Sequence, residues 1–454
     1  MKKYITILFL LNCLALIFGA CDKLTNLDAP KNELTTDKVF ADSTSAKSAL
    51  FNCYVHLERT QYPLFNKYIA TYADETSTVN LPDWNQSRLP ADDTFNQNNW
   101  TDLYSSVYQC NMILEQLARS AKLSSTLKTQ LSAEAKFLRA YSYFLLTNIY
   151  NRVPLLSSTI VEHTRVAVQS DSATVYNFIL NDLNEAHAVI SASYPGSGKI
   201  RANKAVVTAL LSRVHLFQRN WAMAENLATQ LIASGLYTPL DPLANTFKSG
   251  SKESILQLAS QTGFAQEATG TVPSSATAIP SFYFNAAFYN SFETDDLRKT
   301  AWIGTNSVTG SGNTTQYRYP SKYKNRVANT TSPESLTILR IAEQYLIRAE
   351  ARAHLGKLSG SGSAVEDLNV VRARAGLLPV FPATLPEVLT AIYNERKHEL
   401  FFENGDRFFT LKRTGTIQAV MSAAKSTWLP TGRLLPIPQN EITYNKNLTQ
   451  NEGY

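Results

Sequence analysis

The sequence has few of the residues and motifs on which catalytic and metal sites are usually built. Its 454 residues include 4 cysteines and 6 histidines, and the histidines lack the spacing of a zinc site. No Gly-x-Ser-x-Gly nucleophile elbow occurs. Gly198-Lys199 resembles the end of a phosphate loop, but Ser193 and Ile200 stand where that loop requires glycine and serine or threonine. The sequence therefore predicts no catalytic residue, no metal site and no cofactor.

Long apolar runs are also scarce, and the one that occurs lies at the N-terminus. Ile5–Phe18 follows two lysines, and the small residues Gly19 and Ala20 precede Cys21. This order is typical of a lipoprotein signal peptide over 1–20, with cleavage before Cys21 and acylation of that cysteine. The alternative is ordinary secretion with Cys21 as a plain thiol. Polar residues 21–34 are interpreted as a tether, and no later stretch is long and apolar enough to span a membrane.

Charge and cysteine usage narrow the class of protein further. The net charge of +6 is mild and evenly spread, which argues against a nucleic-acid partner. After loss of the leader, Cys53 and Cys110 are the two cysteines apart from the acylated one. An extracytoplasmic location permits a disulfide between them, but buried helical cysteines are often unpaired, so both alternatives stay open.

Helical periodicity is clear in several parts of the chain. Apolar residues recur at helical spacing from Ile338 to Ala353, and Gly356 is placed as a C-cap before a second helix that stops at Gly376. Small alanines on the facing stripes suit close packing of two antiparallel helices, as in tetratricopeptide hairpins. Ala202–Phe217 and Trp221–Ala233 predict another such hairpin. The fold is therefore expected to be mainly α.

A different composition separates the two helical regions. From 236 to 334 Gly, Ser, Thr and Pro increase, and Ser254–Leu258 has the composition of a strand. Ile303–Thr315 is nearly all Gly, Ser, Thr and Asn, and is predicted as a mobile loop. We therefore expect a loop-rich, partly β insert between an N-terminal region, 35–235, and a C-terminal region, 335–454.

Several local motifs occur in a fixed order behind the predicted acylated cysteine. They are Cys21-Asp22-Lys23-Leu24, Leu27-Asp28, Pro30, Ala133–Ala140, the hairpin Ala202–Ile232, Glu395-Arg396, Glu399-Leu400, Phe402-Glu403, Gly405-Asp406-Arg407 and Leu434–Pro438. Together they resemble the SusD/RagB family of outer-membrane nutrient-binding lipoproteins. The resemblance implies a SusD-like fold of tetratricopeptide-like helical pairs, with the insert facing the ligand.

The resemblance also implies a function. Proteins of this family capture oligosaccharides, or in some branches peptides, and pass them to a SusC-type TonB-dependent outer-membrane transporter. The chain is accordingly expected to be a non-catalytic surface receptor, lipid-anchored in the outer membrane and facing the exterior. A secreted glycoside hydrolase and a purely structural helical scaffold are the alternatives.

Ligand-contact residues are not transferred by the resemblance, so they are predicted from chemistry. Sugars stack their C–H faces on aromatic rings and bond their hydroxyls to amides and carboxylates. Trp84 and Asn85 lie in the proline-flanked segment Tyr62–Asn98, which looks loop-rich, and Tyr283 and Tyr289 lie in the cluster Phe282–Tyr289. These four residues are the predicted ligand contacts; the alternatives are a core tryptophan and a satellite hydrophobic cluster.

Acidic residues offer one competing interpretation. Glu395, Glu399 and Glu403 recur at four-residue steps, and paired carboxylates can hydrolyse glycosides. Basic residues lie close by in the sequence, so a salt-bridged helix face is favoured. Asp296 and Arg298 are likewise interpreted as a structural ion pair.

Overall fold

The computed structural model describes residues 36–259, 265–310, 312–329 and 331–454, so the predicted leader and tether lie outside the described residues. The helices are α1 Thr36–Val39, α2 Ser43–Thr60, a π-helix Gln61–Tyr68, α3 Ile69–Tyr72, α4 Pro82–Gln86, α5 Thr94–Arg119, α6 Ser125–Tyr150, α7 Val161–Thr164, α8 Ser172–Val189, α9 Lys204–Phe217, α10 Trp221–Ala233, α11 Ala265–Thr271, α12 Ala286–Asn290, α13 Arg298–Ala301, α14 Ile341–His354, α15 Ala364–Arg374, α16 Leu385–Glu399, α17 Asp406–Arg413, α18 Ile417–Ala424, a 3-10 helix Pro430–Arg433 and α19 Gln439–Tyr444. No helix of this described part is long and apolar enough to cross a membrane.

The strands form small antiparallel pairs. They are β1 Thr76–Thr78, β2 Val153–Pro154, β3 Gln169–Ser170, β4 Ser254–Leu258, β5 Phe282–Phe284, β6 Ile303–Gly310, β7 Asn313–Pro320 and β8 Leu336–Arg340. Within the described residues β1 pairs with β5, β2 with β3, β4 with β8 and β6 with β7. The predicted strand at Ser254–Leu258 is confirmed as β4.

The helices pack as a continuous row that the insert interrupts in sequence but not in space. Helix α5 packs on α6, α6 on α8, α9 on α10, and α10 directly on α14, which in turn contacts α15 and α16. Alanines form the contact between α10 and α14: Ala224, Ala228 and Ala351 are all fully buried. Small side chains let the two backbones approach closely. The sequence predicted such packing for α14 with α15, and Ala349, Ala353 and Ala364 are indeed buried together there. The mainly helical fold is confirmed.

Polar side chains fix where several of these helices begin. The side chains of Asp93, Ser124 and Asp171 each accept a hydrogen bond from a backbone N–H of the first turn, at the starts of α5, α6 and α8. Helix α16 begins with a capping box between Thr384 and Glu387. Each such cap satisfies N–H groups that the helix itself leaves unpaired.

Three sequence expectations about local structure are wrong. Ile338 lies in β8, and α14 begins only at Ile341, because the first residues of the predicted helix pair with β4. Ile303–Thr315 is not a loop but most of the β6–β7 hairpin, whose register runs from Ile303↔Pro320 to Gly310↔Asn313. Tyr62–Asn98 is largely helical, since it contains α3, α4 and the start of α5.

One hydrophobic core includes residues from both helical regions and the insert. Phe137, Trp302 and Phe408 are buried members of it, drawn from the three predicted regions. The predicted region boundaries remain predictions. Cys53 and Cys110 are both buried in this core as free thiols.

Candidate functional site

The two segments predicted to carry ligand contacts meet in a short sheet. Strand β1 pairs with β5 through Thr76↔Phe284, Ser77↔Tyr283 and Thr78↔Phe282. Asn285 links the two strands. Its amide donates to the Asp74 carbonyl at 3.0 Å and accepts a hydrogen bond from the Ser77 hydroxyl at 2.5 Å. The two segments therefore lie together, whereas ligand contact remains a prediction.

Trp84 occupies a different place from the one predicted. Its side chain is 1% exposed, and its ring centroid lies 5.2 Å from that of Tyr68 and 6.0 Å from that of Tyr72. The single turn of α4 directs the indole into the core beneath the surface. Because neither ring face is open, the structure corrects the expectation of an exposed stacking platform at Trp84.

Asn85 is half-buried and holds the same turn to β1. Its amide donates to the Thr78 carbonyl at 2.6 Å and accepts from the Thr78 N–H at 2.9 Å. Both hydrogen-bonding sides of the amide are therefore used within the protein. In this conformation Asn85 positions the strand rather than offering a free amide.

Tyr283 is half-buried and belongs to a wider aromatic surface. Its ring centroid lies 5.2 Å from that of Tyr317 in β7, with the planes at 79°. Tyr319 lies on the same face of β7 as Tyr317 and covers Gly304 on the opposite strand. A Cβ at Gly304 would lie 2.2 Å from the ring of Tyr319, so the glycine makes room for that ring. We call Tyr283, Tyr317 and Tyr319 the aromatic surface.

Sequence reasoning missed Tyr317 and Tyr319. It assigned most of their hairpin to a mobile loop on composition, although polar and aromatic residues alternate over 316–319 as strand residues do. That alternation was the available indication. The structure leaves both tyrosines half-buried, so part of each residue remains accessible to solvent.

Tyr289 is also half-buried, but cations occupy the space beside its ring. The Arg318 guanidinium lies 4.2 Å from the ring centroid, and the Lys299 ammonium lies 5.6 Å from it. The ring quadrupole attracts both charges. Tyr289 is therefore engaged with cations and does not present a free stacking face.

The three glutamates of the C-terminal region lie beneath the surface in a buried ion network. Glu399 contacts Arg298 at 3.1 Å and Arg340 at 2.5 Å, and also pairs with Arg374. Burial opposes ionisation of Glu399, but the charges of the three arginines together hold its pKa well below the usual range.

The other two glutamates are similarly paired. Glu395 bonds Arg298 at 2.7 Å, and Glu403 bonds Arg340 at 2.8 Å and also Lys322. Burial raises the pKa of Glu395. The interpretation as salt bridges is confirmed, but the expected partners are wrong: the carboxylates pair with Arg298, Lys322, Arg340 and Arg374 and not with the basic residues next to them in the sequence. Asp296 bonds Arg298 at 2.8 Å, as predicted.

A separate groove of about 580 Å³ lies between α5 and the C-terminal tail. Tyr108 and Tyr444 line it with 52% and 80% of their surface exposed, and Glu441 and Arg165 add charged groups. Sequence reasoning did not identify it, although Trp100, Tyr104 and Tyr108 recur at four-residue steps along α5. It is a second place where a ring could stack.

Taken together, these features define a helical-repeat protein with half-buried tyrosines on a β-containing insert. No group of His, Cys, Asp and Glu in the described ranges is arranged to hold a metal ion. Comparison with known families agrees with this class. Residues 25–216 match the model described as "Starch-binding associating with outer membrane", and residues 275–454 match that of the SusD family. The chain belongs to the SusD/RagB family.

Individual relatives are distant but cover most of the chain. SusD-like protein P25 of Formosa agariphila is 23% identical, over 78% of this chain and 79% of its own. A SusD superfamily protein of Parabacteroides distasonis has a TM-score of 0.77 at 22% identity, covering 93% of this chain and 100% of its own. Surface glycan-binding protein A of Bacteroides uniformis has a TM-score of 0.75 at 22% identity, covering 90% and 99%. At these identities the structural likeness establishes the fold.

Proposed function

We propose that this chain is a non-catalytic, surface-exposed lipoprotein that captures oligosaccharides and delivers them to a SusC-type TonB-dependent transporter. The observation that carries the proposal is the half-exposed Tyr283–Tyr317 pair on the insert, with Tyr319 beside it. One matching family model is described as starch-binding, and the Bacteroides uniformis neighbour is named as a glycan-binding protein; both support the choice of a glycan.

These tyrosine rings lie on paired strands, and this rigid attachment suits sugar binding. Stacking on a ring is favourable only if little conformational freedom is lost, so rigid platforms bind more tightly than mobile ones. Tyr283 is held by the β1–β5 pairing, and Tyr317 by the full register of β6–β7. The network at Asn285 then fixes the strand pair to the backbone at Asp74.

Hydrolysis is less well supported than binding. A glycosidase needs two carboxyl groups that flank the scissile bond and can reach it. Glu395, Glu399 and Glu403 are buried and bonded to guanidinium or ammonium groups. These glutamates form salt bridges inside the protein and cannot flank a substrate, so the receptor interpretation is preferred.

The test of ligand class is a binding screen on residues 22–454, which omit the predicted leader and the acylated cysteine. Glycan arrays and peptide libraries are compared, and the best ligand is titrated by calorimetry. Tyr317→Ala is expected to weaken glycan binding several-fold, since a ring contact contributes about 0.5–1.5 kcal/mol beyond its area. Tyr317→Phe, which keeps the ring, is the matched control.

Other outcomes identify other sites or ligands. Loss of binding in Tyr108→Ala but not in Tyr317→Ala moves the site to the groove beside α5. Selection of peptides in place of glycans supports a RagB-like peptide receptor with the same transporter role. Binding of neither class leaves only a structural scaffold.

Anchoring and partnership are tested in native membranes. Cys21→Ala is expected to release the protein from the membrane, because acyl chains supply the attachment. Affinity purification of the wild-type chain is expected to recover a SusC-type transporter. Repeated purifications without that transporter contradict the delivery role even if glycan binding is found.

A further inference from the structure

The groove beside α5 is built from other parts of the chain than the aromatic surface. It has a volume of about 580 Å³ and is lined mainly by residues of α5, of the segment 154–165 and of the tail 441–448. None of these described lining residues belongs to the aromatic surface. A pocket of about 300–1,000 Å³ that is lined by aromatic rings and a few polar groups is the usual form of a small-molecule site. The groove therefore has the size and lining of a binding site of its own.

Tyrosines line the groove from both α5 and the tail. Tyr108 on α5 and Tyr444 on α19 each expose more than half of their surface, unlike the half-buried tyrosines of the insert. Tyr104 lies one helical turn before Tyr108, about 6 Å along the axis. Trp100 supports Tyr104 from the turn before, with ring centroids 4.8 Å apart. Rings this accessible can stack on the C–H faces of a sugar.

Hydrogen-bonding groups lie among these rings. Thr101 and Ser105 on α5 line the groove with hydroxyls at the same four-residue step as the rings. Glu441 adds a carboxylate from α19, and Arg165 adds a guanidinium from the residue after α7. These groups can bond the hydroxyls of a sugar, whereas a wholly apolar ligand would leave them without partners. The combination favours a saccharide.

Hydrogen bonds fix both sides of the groove. The Tyr104 hydroxyl donates to the Pro154 carbonyl at 2.9 Å, which holds the ring to the segment after α6. The Asn445 amide donates to the Ala167 carbonyl at 2.8 Å, which holds the tail just after Tyr444. A site that is already ordered loses little conformational freedom when it binds. The groove is therefore preformed.

A peptide fits this groove less well than a sugar. Extended peptides often bind by adding a strand to an open sheet edge, and helical peptides by laying an apolar face in an apolar groove. Because α5 and α19 are helices, most of their backbone groups are bonded internally and offer no such edge. Glu441 and Arg165 oppose the burial of an apolar helix face. A proline-rich segment, which docks on aromatic rings, is the peptide that the test includes.

We propose that the groove beside α5 is a second saccharide site, which binds a sugar segment independently of the aromatic surface. The inference rests on the proposed function, because it adds a site for the same class of ligand. Since Glu441 and Arg165 carry opposite charges, a neutral sugar is expected. Two sites on one chain hold a polymer more tightly than one site does when the polymer spans both.

The test is hydroxyl-radical footprinting of the mature full-length chain in detergent, with the oxidation of each tyrosine measured by mass spectrometry. The probes are maltohexaose, laminarihexaose, cellohexaose and xylohexaose. At least one of them is expected to protect Tyr108 and Tyr444 from oxidation. In Tyr317→Ala the same protection is expected to persist, because Tyr317 does not line the groove.

Substitutions within the groove measure the contribution of one ring. Tyr108→Ala is expected to raise the hexasaccharide concentration that half-protects Tyr444 by about two- to tenfold, the scale of one ring contact. Tyr108→Phe, which keeps the ring, is expected to raise it less than twofold. Phe381→Ala removes an exposed ring from the loop between α15 and α16, outside the groove, and is expected to leave that concentration unchanged. Melting temperatures confirm that the variants fold.

Four outcomes overturn the inference. Protection of Tyr283 or Tyr317 without protection of the groove tyrosines rejects it and leaves the proposed receptor intact, as does groove protection that disappears in Tyr317→Ala. An equal loss in Phe381→Ala and Tyr108→Ala also rejects it, since the effect is then not specific to the groove. Protection of the groove by decaproline but by no hexasaccharide rejects the saccharide and supports a peptide segment. If no probe and no glycan on a broad array binds, the proposed function is rejected together with the inference.

Discussion

Glu399→Gln provides a direct test of the buried ion network. The carboxylate is fully buried and contacts Arg298, Arg340 and Arg374. Glutamine has nearly the same shape, but it removes the negative charge and turns an amide N–H₂ toward guanidinium donors. Three buried cations then share fewer acidic partners. Breaking a buried pair in this way typically costs about 3–5 kcal/mol, because it leaves uncompensated charge out of water.

The loss of stability in Glu399→Gln has an expected size and an expected pH dependence. For a chain of this length, a loss of about 3–5 kcal/mol lowers the melting temperature by about 3–5 °C. The pKa of Glu399 is held well below its ordinary value, so its stabilisation is fully present above that ordinary value. It is lost only as pH falls through the depressed pKa. The deficit of the variant is therefore expected to stay constant between pH 8 and pH 5.

The assay is urea denaturation followed by circular dichroism, with Glu452→Gln as the matched control. Glu452 is exposed in the C-terminal tail, so the same chemical change there is expected to alter stability by less than about 0.5 kcal/mol. If Glu399→Gln loses no more than this control, the reasoning that the network stabilises the fold is refuted.

Three further substitutions test other parts of the structure. Burial, and then the charge of Asp74, raise the pKa of Glu75 to about 8. The stability of wild type relative to Glu75→Gln should therefore fall by roughly 1 kcal/mol per pH unit as the pH rises from about 5 to 8. A difference in denaturation midpoints that does not change with pH contradicts this. Trp84→Ala should cost about 3–5 kcal/mol as a core substitution, and unchanged melting with weakened glycan binding would restore its ligand role. Gly304→Ala should displace the Tyr319 ring and weaken glycan binding several-fold at little cost in stability, whereas Gly310→Ala, which meets open space, should leave calorimetric titrations unchanged.

The helical scaffold was predictable because its determinants are local. Apolar and small residues at helical spacing identify α9, α10 and α14 from the sequence, and Gly356 adopts the positive φ that a residue ending a helix requires. The alanines on α14 and α15 also indicated close packing of that pair. What the sequence did not reveal is that α10 and α14 pack directly on each other, because 107 intervening residues separate Ala233 from Ile341.

The aromatic surface was only partly predictable, because side-chain direction depends on distant partners. Trp84 lies in a polar segment and looks exposed, but Tyr68 and Tyr72 from the preceding helices enclose it. Strand β7 is rich in Thr and Gln, so composition alone suggested a loop. Its pairing with β6 is what orders Tyr317 and Tyr319.

The ion network holds the insert, and the aromatic surface on it, rigidly against the C-terminal region. Arg298 and Lys322 belong to the insert, and they bond Glu395 and Glu403 in the C-terminal region. Arg340 at the end of β8 also bonds Glu253, which precedes β4.

These bonds fasten the insert to α16 and the residues after it at points on both sides of the β6–β7 hairpin, since Arg298 precedes the hairpin and Lys322 follows it. Burying these charges is costly, but the network has a second consequence. It fixes the position of the hairpin, and with it Tyr317, relative to Tyr283. On this reasoning, substitutions that loosen the network without unfolding the protein should weaken ligand binding at a surface that they do not touch.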